Sequence, residues 1–285
     1  MKLPQCRSKW GLLGGGPFVV VSAMVASCLG GTLTAQAGSS IRYQPELLAC
    51  VAFHQSVLSD LETVHGEDRR TETTGWEGDL VLRAKADTGG VLSVVAWFER
   101  LRVWRDMPEG RIQPATDGML GGRYRGVLRP DGDYHAVAAP FIPDAVSAIA
   151  AIDTALDELF PPLATVPLVP GGAVTDGRRW RFHRLSDTLV AAGAALRFRL
   201  LRSDTTSVSV DWGGGQVSQG ESVEEEWGRV LWQPGVGPLS WVRRITTVVT
   251  FPATALSARP VRTEVRQERR LEHLGALPPE RCAVP

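Results

Sequence analysis

Asparagine is absent from the chain, and lysine is confined to Lys2, Lys9 and Lys85. The first absence excludes Asn-linked glycosylation, and the second leaves almost no room for lysine-based covalent chemistry. Arginine carries nearly all the positive charge, as a GC-rich coding bias would produce. Sequence signatures of catalysis are missing too. No stretch beyond the leader carries G-x-S-x-G, H-E-x-x-H, C-x-x-C, a Walker-type phosphate loop or a dinucleotide fingerprint. The five histidines, His54, His65, His135, His183 and His273, are not spaced for a shared metal, and none lies beside a cysteine ligand. Gly213, Gly214 and Gly215 precede a strand rather than a helix, so they form a turn and not a phosphate cradle. The 31 basic residues only balance the 31 acidic ones, with no basic stripe to hold nucleic acid.

What is present begins with a leader. Lys2, Arg7 and Lys9 precede an apolar run densest over residues 18–29, and no acidic residue appears before Glu46. That run is shorter than the roughly 20 apolar residues a membrane span needs, so residues 1–37 are expected to be a signal peptide. Ala35-Gln36-Ala37 suits cleavage before Gly38 and a soluble product. Val25-Ala26-Ser27-Cys28 resembles a lipoprotein box, and the alternative is a product lipidated at Cys28 and anchored to the membrane. Either way the expected location is extracytoplasmic, periplasmic or secreted. Two of the four cysteines, Cys50 and Cys282, then remain in an oxidising setting, one near each end of the mature chain. They are expected to form a disulfide, the alternative being two independent buried thiols.

The remaining chain, about 250 residues, has room for one large β-rich domain or two packed halves. Short alternating segments bounded by turns predict strands over 49–58, 71–86, 91–105, 123–128 and 133–138. One helix is expected near 145–160, opened by Asp144 and stopped by Pro161-Pro162, with Val146, Ile149, Ile152, Leu156 and Leu159 on one face. A Pro/Val/Gly-rich connection over 161–172 leads to strands over 178–185, 196–202 and 206–212, the last two joined by a turn at Ser203-Asp204. A long hairpin over 221–251 follows, and residues 259–274 suit an exposed edge strand better than a helix. The expected fold is α+β and predominantly antiparallel: two meander-like sheets, or one large curved sheet, with one helix between the halves. An N-terminal β half, 38–160, and a C-terminal half, 173–285, are expected to form one integrated domain.

The candidate chemistry is sparse. His183, Ser186 and Asp187 crowd into five residues, the wrong geometry for a nucleophile–base–orienter line. His54 is expected to face the core. Glu224, Glu225 and Glu226 alternate faces in a strand and suit cross-strand pairing with Arg243 and Arg244 better than a cation site. No catalytic, cofactor-binding or metal-binding residue is assigned. The tryptophans carry more information, because most fall on predicted strands. Trp97, Trp104, Trp227 and Trp241 would either wall a cavity for an apolar ligand or fill an ordinary core.

The GGRYRGVLRPDG hairpin, the helix ending ALDELFPPL, the lead into RRWRFHRL and the GRVLWQPGVGPLSWVRR hairpin resemble uncharacterised exported bacterial proteins in which two β-meanders flank a short helix. In compartment and element order the chain is more loosely similar to periplasmic lipoprotein carriers and related lipid-binding proteins, which curve a sheet around an apolar cavity. These resemblances imply a non-catalytic exported protein that binds an apolar small molecule or lipid, or an envelope protein, with residues 146–160 as a partial lid. A purely structural envelope module is the alternative, and a hydrolase of unrecognised type a further one. No cofactor and no nucleic acid partner are expected.

Overall fold

The computed structural model describes residues 41–283, apart from 88, 166–167, 192, 212–216 and 254–258. The leader, both processing sites, Cys28 and the triple-glycine turn lie outside the described residues.

The first half is a meander of long antiparallel strands: β1 (Val51–His65), β2 (Asp68–Ala86), β3 (Leu92–Met107), the short β4 (Gly110–Ile112), β5 (Tyr124–Leu128) and β6 (Tyr134–Ala138). One α-helix, α1 (Asp144–Ser147), follows. The second half runs β7 (Ala173–Thr175), β8 (Arg181–Arg184), β9 (Thr188–Val190), β10 (Gly193–Asp211), β11 (Val217–Gln233), β12 (Gly237–Phe251) and β13 (Val261–Ala276). All belong to one 13-stranded sheet, ordered β6-β5-β3-β2-β1-β13-β12-β11-β10-β8-β7, with β4 beside β3 and β9 beside β10. The two meanders therefore join where β1 pairs with β13.

This topology places residues 259–274 differently from the sequence expectation. β13 lies at the centre of the sheet, not at an edge. Its polar content is explained by alternation: Arg262, Glu264, Arg266, Glu268 and Arg270 share one face, where they form ion pairs with one another. The expected turn at Ser203-Asp204 is also missing, because both residues stay in the β10–β11 ladder opposite Glu225 and Glu224. Long-range pairing overrides the local turn preference there.

The sheet curls until its two ends approach each other. The Arg178 guanidinium, in the β7–β8 turn, stands 3.9 Å from both Asp131 and Asp133 in the β5–β6 turn. The concave face holds the main core, running from Tyr124 and Leu128 at one end through Phe53, Leu80 and Leu271 to Phe182 at the other. Residues 140–163 cross this face as a strap. The expected long helix is reduced to the single turn of α1, with Pro143 at its N-cap and Asp144 as its first helical residue. A 3-10 turn follows at Ile152–Thr154. The apolar spacing is kept, since Val146, Ile152, Leu156 and Leu159 are all buried. The regular helix is lost because sheet side chains take the backbone carbonyls of Ala148, Ile152 and Ala155. Tertiary hydrogen bonds here replace the intrahelical ladder.

On the convex face, Cys50 and Cys282 are disulfide-bonded across a sequence separation of 232. Trp97 and Val81 cover the bridge, and the Arg123 guanidinium stacks 4.0 Å over Trp97. Arg83 donates to the Cys282 carbonyl, and Arg281 pairs with Glu99 at 2.7 Å, so the segment after β13 is fastened to β2 and β3. Closing so long a loop limits the unfolded chain. Replacing both cysteines with serine is expected to lower unfolding free energy by about 2–4 kcal/mol. Chemical denaturation with and without a reducing agent measures this, and reduction of the unmodified protein should reproduce the loss.

Candidate functional site

Cross-strand partners share a face, so the ladder registers assign every strand residue to one side of the sheet. The four tryptophans expected to wall a cavity do not come together. Trp241, opposite Leu271, is buried on the concave face. Trp97 lies on the convex face over the disulfide. Trp104 is also convex, with its indole lying over Gly75, where a Cβ would stand 2.4 Å from the ring. Trp227, opposite Arg244, is convex too and stacks with Arg229 and Arg244. A bulge at Glu99 switches the phase of β3, since Leu80 pairs with Phe98 but Asp79 with Arg100. The concave aromatic residues that sequence alternation did not single out are Trp76, Trp180 and Trp232, together with Tyr43 and Phe160.

The strap is anchored by polar side chains reaching up from the sheet. Gln55 Nε2 donates to the Ala155 carbonyl at 3.2 Å, and the Tyr124 hydroxyl to that of Ile152 at 3.0 Å. The Tyr43 hydroxyl donates to the Pro161 carbonyl at 3.0 Å. Burial pushes the Tyr43 and Tyr124 phenols well above their ordinary range, so both remain protonated donors. An ionic cluster centred on the buried Glu226 and Arg243 adds to this anchorage. Glu158 of the strap meets Arg243 and Arg269, Arg243 also pairs with Glu226, and Arg202 meets Glu226 at 3.1 Å. Glu226 has no exposed side-chain surface, and desolvation lowers Arg269 to about 10. Of the glutamate run, Glu224 and Glu226 thus face the concave side, whereas Glu225 is exposed on the other. Arg244 pairs with Glu268.

The strap does not cover the whole concave face. Beyond it, one row of the sheet carries Leu61, Val265 and Thr247, and the next carries Thr63, Thr263 and Val249. Leu61, Val249 and Val265 are only half-buried. Where this open strip meets the strap, a cavity of about 190 Å³ lies among Val57, Trp76, Ile149, Ala150, Gln267 and Arg269. The arrangement is a trough of mixed character, with leucine and valine interleaved with threonine, serine and glutamine, and an arginine at its inner end.

The histidines are placed differently from expectation. His54 faces the convex side, because it pairs in register with Asp79. Its Nδ1 is 2.8 Å from Asp79, which also holds Arg100 at 2.8 Å. This assembly lies outside that cavity, and among the described residues no hydroxyl is hydrogen-bonded to the imidazole, so it matches a surface ion-pair group. On the concave face His273 packs edge-on against Phe53, and burial holds its pKa below the ordinary value. Among the described residues, no three His, Cys, Asp or Glu side chains converge as a metal site.

Two outcomes follow for stability. Glu226→Ala removes the buried carboxylate that Arg243 and Arg202 share, leaving them Glu158 and Glu224, and is expected to cost about 1–3 kcal/mol in a denaturation series. A histidine with a depressed folded pKa contributes stability that is present above the unfolded value of 6.5 and lost as pH falls through the lower folded one. Stability should therefore drop as pH falls from neutrality below 6.5, and His273→Phe should flatten that part of the profile.

No family model matches the chain, and no curated protein matches it. Among solved structures, lipovitellin, from a study entitled "Lipid-protein interactions in lipovitellin", aligns at 10% identity and TM-score 0.43 over 82% of this chain. This chain spans only 26% of that protein's length. A putative outer membrane lipoprotein-sorting protein domain from Vibrio parahaemolyticus aligns at 10% identity and TM-score 0.15, covering 79% of this chain and 87% of that one. A DUF1329 family protein from Desulfovibrio piger gives 8% identity and TM-score 0.16, covering 81% and 88%. At these scores the likeness is too weak to carry any property of those proteins to this chain.

Proposed function

We propose that this is a non-catalytic exported protein that binds an amphiphile, with its apolar chain on the open concave strip and its strap as a partial lid. The observation that carries this is the half-exposed Leu61, Val249 and Val265 strip, which approaches the cavity beneath Ile149 and Ala150 across the Ser59–Gln267 row. Apolar side chains left half-open to water beside a cavity give the chain of an amphiphile a surface to lie on. The cavity's 190 Å³ is below the roughly 300–1,000 Å³ of ordinary small-molecule sites. A bound chain would therefore extend along the strip or lift the strap. The Arg269 guanidinium at the inner end, already paired with Glu158, would add a polar contact for the head of such a molecule. An oxidising location outside the cytoplasm agrees with the disulfide.

A second reading, a structural module of the envelope, is favoured by the density of strap anchors. Side-chain donors from Tyr43, Gln55, Arg105 and Tyr124 and the Glu158 ion pairs hold the strap where a carrier would need room.

Titration with a lysophospholipid below its micelle concentration separates the two, read through tryptophan emission with Trp76→Phe as the reference. Binding predicts a saturable change that Trp76→Phe diminishes, and a Kd weakened about tenfold or more by Val249→Asp on the strip, a loss on the scale of one buried apolar side chain. An unchanged spectrum, with no lipid co-purifying, would remove the carrier reading and leave the scaffold.

A further inference from the structure

The convex face of the second meander carries an unusual concentration of unpaired positive charge. No outward position of β8, of β10 from Arg197 to Leu201, or of β11 from Trp227 to Leu231 is acidic. Arg199 of β10 stands directly opposite Arg229 of β11 in the ladder. Both are exposed, as is Arg181, which neighbours Leu201 one row below. Among the described residues none of these three arginines has a carboxylate partner. Like charges placed directly opposite each other weaken a sheet pair, so folding alone gains nothing from the arrangement. The contrast with β13 is direct, since there each outward arginine lies beside a glutamate.

Apolar groups lie between these charges. Trp227 and Leu201 are cross-strand neighbours on the same face, each half-buried. The Trp227 ring is 5.4 Å from the Arg229 guanidinium and 5.8 Å from that of Arg244. A shallow groove of about 460 Å³ runs past Trp227, Leu201, Arg181 and Arg244. Glu225, one row further down β11, lines its far end. Arg244 is already engaged by Glu268, so the free charge is concentrated at Arg181, Arg199 and Arg229.

We propose that this convex face docks onto a membrane surface bearing anionic phospholipid headgroups. Guanidinium groups bind phosphate oxygens through paired N–H donors, and three unpaired ones sit side by side on this convex face. Tryptophan beside them supplies the side chain that favours the headgroup level, with an apolar ring and a polar edge. A flat anionic sheet of headgroups relieves the Arg199–Arg229 repulsion over the whole face, whereas a single small anion would reach only one arginine pair. The surface is on the opposite side of the sheet from the concave strip, so it stands whether or not that strip binds an amphiphile.

Co-sedimentation of the purified protein with vesicles tests this. Phosphatidylglycerol vesicles should retain it and phosphatidylcholine vesicles should not, with binding lost as salt rises. Arg199→Glu with Arg229→Glu should weaken retention about tenfold or more, from the loss and reversal of two charges near the surface. Arg42→Glu with Arg125→Glu, which changes net charge equally outside this face, should leave retention near the unmodified level. Circular dichroism of both double variants checks the fold. Equal binding to both vesicle types, as insertion of the apolar leader alone would give, overturns the proposal. So does equal loss in the two double variants, or binding to an acidic protein without binding to vesicles.

Discussion

The ladder between β1 and β13 is the interaction on which the rest of the molecule depends. It converts two separate meanders into one sheet, and it gives β1 and β13 a partner on both sides. Without it, each meander would end in a long strand with unpaired backbone groups, the arrangement most prone to faulty association. The disulfide lies beside this seam, and Arg83 and Arg281 fix the last segment across the first meander. The strap depends on the same seam. Its anchors come from β1 through Gln55, from β5 through Tyr124 and from β12 and β13 through Arg243 and Arg269. Only a joined sheet presents all of these to one segment.

Those anchors are polar although they lie in an apolar core. A purely apolar contact would hold residues 140–163 with comparable strength but would tolerate sliding. Hydrogen bonds to the carbonyls of Ala148, Ile152, Ala155 and Pro161 and an ion pair at Glu158 fix its position. Buried charges contribute little net stability when paired and cost several kcal/mol when one partner is removed. The arrangement suits a segment that must rest in one place while leaving the neighbouring strip open.

The class of fold was legible in the sequence because alternation is a local signal. PDG at 130–132 and the PGVGP turn marked their hairpins, and both form as expected between β5 and β6 and between β11 and β12. Strand order was not legible. Nothing within residues 259–274 says that their partners are β1 and β12, because the polar face that resembles an edge is neutralised by glutamates two residues away. The strap kept its helical apolar spacing but not its helix, since its hydrogen-bond partners come from distant strands. Tryptophan sidedness failed for a similar reason. The Glu99 bulge shifts the phase of β3, and whether Trp227 points in or out depends on a register that the turn alone does not set. His273, by contrast, followed alternation with Leu271 and could have been placed on the inner face once β13 was known to be central.

The central position of the last long strand also has a consequence for synthesis. The first meander emerges complete while its innermost strand, β1, still has one bare edge, and β13 cannot cover it until nearly all of the chain has been made. Such non-local closure is slow, because the intervening loop must be ordered before any contact at the seam compensates. The nascent chain therefore carries a β1 edge open to capture by other chains for the longest interval its topology allows. The polar outward residues of β1, with Asp60 and Glu62 among them, make that edge a poor template for association. In this fold the charge on the central strands protects the chain before they become central.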